Sequence, residues 1–226
     1  MNLKDKVVVI TGGSRGLGRS MAELFIKEGA TVVVSSKDKI LLDTTAKEIK
    51  TYAIYADVTK ERDIQKLVDK TIKKFGRIDI WINNAGIVLP HQEIEKIDSK
   101  LAHNVFEVNF FGTFYGSREA MKIMKKQKQG TILNIGSMSS LVGRPLSSIY
   151  ASSKWAVRGF TESLRLALEP ENISVIIVHP GGFKTTIFGD FKPVGYDNWM
   201  EPSYVAEKIV SNLKSENPKQ ELVIEK

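Results

Sequence analysis

The sequence contains no cysteine, only three histidines (His91, His103 and His179) and no long uninterrupted apolar run. The first absence excludes a disulfide framework, thiolate metal sites and a cysteine nucleophile. The second makes a histidine-built metal centre a poor expectation, so no metal is assigned. The N-terminal residues 1–6 lead into only four apolar residues, 7–10, too few for a signal-peptide core or a spanning helix. A cytoplasmic protein with no membrane partner is therefore expected. Repeats and low-complexity segments are also missing. What is present is a globular composition: 226 residues, 42% hydrophobic and 26% charged, which argues against disorder. One domain spanning 1–226 is expected.

The net charge is +7. Its densest cluster, Lys122, Lys125, Lys126 and Lys128, falls where a helix should end, and cations there face the negative end of the helix dipole. No helix interleaves basic residues with stacking aromatics, so a nucleic-acid partner is not expected.

Short runs rich in Val and Ile recur at 7–10, 31–34, 78–82, 131–135 and 173–178, with weaker ones at 52–57 and 221–225. They are apolar throughout, as strands buried on both faces must be. Amphipathic stretches at 17–28, 38–50, 60–75, 100–127, 148–169 and 202–213 separate them. Strand alternating with helix predicts a Rossmann-type doubly wound parallel sheet of about seven strands, with helices on both faces. Residues 187–200 are the least regular and are read as a substrate-side loop, mobile at the surface over 188–199.

Between the first strand and first helix lies Thr11-Gly12-Gly13-Ser14-Arg15-Gly16-Leu17-Gly18. Glycines there let the backbone approach a pyrophosphate, whose charge meets the N–H groups and dipole of the helix start. At the end of the second strand a carboxylate would bind ribose hydroxyls and repel a 2′-phosphate. Ser36 and Lys37 stand there instead, and Lys37 and Arg15 could converge on one phosphate. NADP(H) is expected in preference to NAD(H).

Tyr150 and Lys154, four apart, share a helix face. An ammonium beside a phenol favours the phenolate, so the Tyr150 pKa is expected to fall toward working pH and suit a general acid/base. Ser137 follows the fifth strand and can bond the reacting oxygen. Asn109, in an apolar helix, is expected to hold a water against Lys154.

These motifs, with Asn83-Asn84-Ala85-Gly86 and Pro180-Gly181-x-x-x-Thr185, are similar in kind and order to those of the short-chain dehydrogenases/reductases, and the resemblance covers the whole chain. It implies that Tyr150 is the proton donor or acceptor, that Lys154 binds the nicotinamide ribose, that Ser137 orients the substrate and that Asn109 supports a proton relay. It also implies that Asp57, with Val58 beside it, contacts adenine, that Asn84, Ala85 and Gly86 line the cofactor, and that Pro180, Gly181, Phe183 and Thr185 hold the carboxamide. The choice of Ser137 over Ser139 or Ser140 rests on the family spacing. The reaction implied is hydride transfer between nicotinamide and a carbonyl or secondary alcohol; the alternative is a non-catalytic NADP(H)-binding redox sensor.

Candidate substrate-side residues are Met138, Ser139, Leu141, Val142, Leu146, Gly182, Phe183, Ile187 and Trp199, largely apolar, which suggests a neutral, partly hydrophobic small molecule. Trp155, Phe160 and Leu164 are read as core or subunit contacts, and His179 as structural. Phe106, Phe110, Phe111 and Phe114, with the helix carrying Tyr150, suggest a homodimer interface; a tetramer is less expected, because the chain ends without a Gly-containing tail.

Overall fold

The computed structural model describes residues 1–188, 193 and 195–226. The surface segment expected at 188–199 therefore falls partly outside the described residues. Seven strands form one parallel sheet: β1 (Val7–Thr11), β2 (Thr31–Ser36), β3 (Tyr52–Tyr55), β4 (Ile80–Asn83), β5 (Gly130–Ile135), β6 (Ile173–Pro180) and β7 (Glu221–Ile224). Their order is β3-β2-β1-β4-β5-β6-β7. The order reverses at β1, and a doubly wound sheet opens its binding crevice at such a reversal, outside the carboxyl ends of the strands.

Successive strand residues point to opposite faces, and this divides each apolar run between two cores. Val8, Ile10, Val32, Val34, Ile80 and Ile82 pack with Met21 and Phe25 of α1 (Gly16–Lys27), Leu42 of α2 (Lys39–Glu48) and Ile209 and Leu213 of α7 (Pro202–Lys214). Val9, Val33, Trp81 and Ile132 pack on the other side with Leu67 of α3 (Glu61–Phe75), Met124 of α5 (Gly112–Gln127) and Leu168 of α6 (Ser148–Leu168). Burying such side chains contributes about 1.5–3 kcal/mol each, so one polar replacement in the middle of β1 would remove a contact from either core.

The helix expected at 100–127 is interrupted. It runs as α4 (Ser99–Phe106), a π-helical turn over Glu107–Phe111, then α5. Asn109 lies in that turn and is 1% exposed. The basic cluster sits where the dipole argument puts it: Lys125 and Lys126 are in the last turn of α5, and Lys128 ends it in the left-handed conformation. Lys122 is paired with the buried Glu119, and Lys125 with Glu171. No helix among the described residues is long and apolar enough to cross a membrane.

Candidate active site

A cavity of about 970 Å³ opens at the carboxyl ends of the strands. It is large enough for a dinucleotide together with a small substrate. One end is the turn after β1. Gly12 and Gly16 have φ of +64° and +53°, a left-handed conformation that glycine adopts without strain. A Cβ on Gly18 would lie 2.3 Å from the Gly12 carbonyl oxygen, so nothing larger fits where α1 starts. No side chain caps α1 and its first turn has no acidic residue, so its leading N–H groups are available to an anion. Asn84 holds the turn from behind: its amide donates to the carbonyls of Thr11 and Gly12 at 2.9 and 3.0 Å. Thr185, from the loop after β6, reaches toward the same turn, with Oγ1 3.3 Å from where a Gly16 Cβ would stand.

Arg15 and Lys37 line this end, are exposed and have no ion pair among the described residues, whereas neighbouring Arg19 and Lys39 are paired with carboxylates. Ser36 Oγ accepts the Asp38 N–H at 3.1 Å, and the Asp38 carboxylate caps α2 through Leu41 N–H at 3.0 Å. Asp57 Oδ1 accepts from Thr59 N–H and Oγ1, which fixes the corner after β3. Ser14, Leu17, Val58, Ala85 and Gly86 complete this part of the wall. The glycine-rich turn, the uncapped start of α1 and the cations Arg15 and Lys37 fit a dinucleotide.

Tyr150, Lys154 and Ser137 all line the cavity. Ser137 Oγ accepts the Ser139 N–H at 3.1 Å. Ser140 is fully buried and turned away, closing a capping box with Ser137. Ser140 is thereby set apart from Ser137 and Ser139, which both line the cavity. Lys154 is 5% exposed; its Nζ donates to the Ile135 carbonyl at 2.8 Å and stands 5.8 Å from the centre of the Tyr150 ring. Burial lowers its pKa to about 8. Burial also raises the Tyr150 phenol above its ordinary value, with the Ser137 hydroxyl acting in the opposite direction. The expected fall is therefore reversed: the ammonium is over the ring and engaged by a carbonyl, and desolvation of the phenolate prevails.

Asn109 is not among the residues that line the cavity. It stands behind Gly86 and Ile87, with Oδ1 accepting Ile87 N–H at 2.8 Å and Nδ2 donating to Ile87 O and Ser153 Oγ, each at 3.0 Å. Leu141 and Val142 are not in the wall either, and Val142 is 47% exposed, because the short helix at Met138–Ser140 turns the chain outward.

The substrate end is formed by Met138, Ser139, Leu146, Gly182, Phe183, Ile187 and Trp199, beside Pro180 and Gly181. Trp199 lies so close to Gly182 that a Cβ there would meet its ring at 2.6 Å. Tyr196 Oη bridges the Thr185 backbone, accepting from N–H at 2.9 Å and donating to the carbonyl at 3.0 Å. Sequence reasoning missed His91, Arg144 and Glu225, which also line the cavity. Arg144 follows Gly143 in a loop with no helical or strand pattern, so no local signal marks it.

Residues 6–193 match the family profile described as short chain dehydrogenase. The chain belongs to the short-chain dehydrogenase family. Among curated relatives, the uncharacterized oxidoreductase YxnA of Bacillus subtilis is 35% identical over 98% of the chain, which spans 66% of that protein's length. Cyclopentanol dehydrogenase of Comamonas sp. is 36% identical over 81% of the chain and 75% of its own. Among solved structures, 3-ketoacyl-(acyl-carrier-protein) reductase of Brucella melitensis, complexed with NADH, superposes with a TM-score of 0.90 at 29% identity, covering 98% of this chain and 97% of that one. The seven-stranded parallel sheet is common ground, and this chain is an oxidoreductase of that family.

Proposed function

We propose that the chain is an NADP(H)-dependent oxidoreductase that interconverts a carbonyl and a secondary alcohol, with Tyr150 as general acid/base. The observation that carries this reading is that Tyr150, Ser137 and Lys154 line one cavity, with Lys154 Nζ 5.8 Å from the Tyr150 ring centre. A carbonyl oxygen placed between Ser137 and Tyr150 meets two hydroxyls. Ser137 orients it by donating a hydrogen bond, and Tyr150 Oη delivers the proton. Lys154 contributes positive charge across the ring face. When bound, the nicotinamide supplies or accepts the hydride.

The N-terminus of α1 would hold the pyrophosphate, Arg15 and Lys37 the 2′-phosphate, Asp57 the adenine corner, Lys154 the ribose, and the loop from Pro180 to Thr185 the carboxamide. The Brucella relative is complexed with NADH, so the preference here rests on two cations with no ion pair among the described residues and on the absence of a carboxylate at Ser36. Met138, Leu146, Ile187 and Trp199 suit a small, neutral, partly hydrophobic substrate, in keeping with the secondary alcohol named for the Comamonas relative. A redox sensor would have no use for Tyr150, Ser137 and Lys154 brought together, which disfavours that alternative. Phe111 and Trp155, 37% and 45% exposed, lie on the face read as a homodimer interface, where Phe110 and Phe114 pack on Phe160.

The test is loss of NADPH absorbance across aldehydes, ketones, diketones, keto-acyl thioesters and quinones. Turnover that falls about 100-fold or more in Tyr150→Phe, with NADPH affinity retained, supports the reading; turnover that survives the substitution sinks it.

A further inference from the structure

His179 is the one fully buried histidine among the described residues, and the proposed chemistry makes no use of it. It occupies β6 just before Pro180, and its ring fits between the loop after β5 and strand β7. Nδ1 lies 3.2 Å from the Ser137 carbonyl oxygen and 3.2 Å from Ser140 Oγ. Nε2 lies 2.9 Å from Glu221 Oε1, which also accepts from Arg158 Nε at 2.8 Å. Arg158 is on α6, four residues beyond Lys154 and eight beyond Tyr150, so the three share a helix face. The contacts run from α6 through Arg158, Glu221 and His179 to the Ser137–Ser140 capping box, and Ser137 lines the cavity together with Tyr150 of the same helix.

We propose that His179 is a positioning residue that sets the Ser137 hydroxyl against Tyr150, itself fixed by Glu221 and Arg158. The inference rests on the reaction proposed above. Hydrogen-bond bookkeeping explains how it works. Burial lowers the His179 pKa, while the Ser137 carbonyl and Glu221 raise it and Arg158 lowers it further. Nε2 faces the Glu221 carboxylate, and Nδ1 faces the Ser137 carbonyl and Ser140 Oγ. The Ser140 hydroxyl accepts the Ser137 N–H at 3.0 Å and donates its hydrogen to the Ser137 carbonyl at 2.7 Å. His179 thus restrains the rotor that grips both backbone groups of Ser137. The fit is tight, since a Cβ on Gly136 would lie 2.9 Å from Nδ1 and 3.0 Å from Ser140 Oγ. A buried histidine needing only satisfied nitrogens could take any two partners; this one lies against the backbone of a serine that shares the cavity with Tyr150.

The test reads Tyr150 directly. In protein labelled with ¹³Cζ-tyrosine, one of six tyrosine resonances is assigned to Tyr150 by its loss in Tyr150→Phe. In His179→Leu the Ser137 hydroxyl, which holds the phenol pKa down, is displaced, so the Tyr150 titration moves to higher pH. His179→Asn, whose amide reaches the Nδ1 position, brings it back toward wild type. In parallel, kcat for ketone reduction falls about 10-fold or more in His179→Leu, the scale of a misplaced reacting group, with the KM for NADPH unchanged. Should His179→Leu fail to fold, Glu221→Ala, on an edge strand and 38% exposed at its side chain, moves both readouts in the same direction by less. A Tyr150 titration that stays put in the folded variants overturns the proposal. So does a kcat that falls only with the folded fraction. Absence of turnover in the wild type counts against the proposed reaction alone, since the titration still decides the role of His179.

Discussion

The Nζ of Lys154 stands 5.8 Å from the centre of the Tyr150 ring, over its face. With burial raising the phenol and lowering the ammonium to about 8, the two groups titrate in a defined order. At neutral pH the phenol holds its proton and Lys154 its charge, the arrangement suited to protonating a carbonyl. Ketone reduction is therefore expected to be nearly flat from about pH 6 to 7 and to fall through pH 8 and above as the ammonium is lost. Alcohol oxidation, which needs the phenolate, should rise with pH over the same range. Initial rates in both directions across that range test this; oxidation that falls with rising pH would contradict it.

The same burial has a consequence for stability. The folded-state pKa of Lys154 is about 8 against 10.5 for the exposed group, so between these values the unfolded chain binds more protons than the native one. Stability therefore rises with pH across that window. Below it both states are protonated and the cost of burying the charge is present in full, on the order of 3 kcal/mol, offset in part by the bond to the Ile135 carbonyl. Lys154→Met is expected to be more stable than wild type at neutral pH, with the gap narrowing toward about pH 10. Urea unfolding at the two pH values measures it, and a gap independent of pH would show that the buried charge is not its cause.

Cofactor choice follows from charges at one corner. Arg15 and Lys37 face the cavity without carboxylate partners among the described residues. Ser36→Asp with Lys37→Ala removes a cation and adds a charge that repels a 2′-phosphate. The ratio of kcat/KM for NADPH over NADH should fall about 10- to 100-fold, the worth of one charge-assisted bond. An unchanged ratio would place phosphate recognition elsewhere.

Much of this arrangement is legible in the chain, because a parallel strand buried on both faces has to be a continuous apolar run and the turn after β1 has to be glycine-rich. Proximity in sequence is a poorer guide to direction. Val142 is five residues from Ser137, yet the short helix between them turns it outward. Contacts between distant positions leave no local trace: His179 meets Glu221 and Ser137 at separations of 42 residues each. The rise in the Tyr150 pKa was unreadable for another reason. Pairing with Lys154 is a matter of spacing, but desolvation depends on every element packed around the ring. The π turn at Asn109 was hidden because its residues carry ordinary helical patterning.

Asn109 shows what that turn is for. Oδ1 and Nδ2 bond both backbone groups of Ile87, and Nδ2 also reaches Ser153, so one amide ties the helix at 99–127 to the loop after β4 and to α6. Gly86, next in the chain, separates the two sides: a Cβ there would lie 3.4 Å from Asn109 Oδ1 and 3.8 Å from Lys154 Nζ. Asn109→Leu fills the volume but leaves the Ile87 N–H and carbonyl without partners, at a cost of about 1–3 kcal/mol for each group left unsatisfied. The loop then relaxes toward Lys154, and both stability and kcat should fall. Asn109→Ala, which leaves room for a bridging water, should recover part of the stability. Urea unfolding and steady-state rates on the two variants separate the effects; a Leu variant as stable as wild type would mean that the paired bonds to Ile87 do not hold the loop.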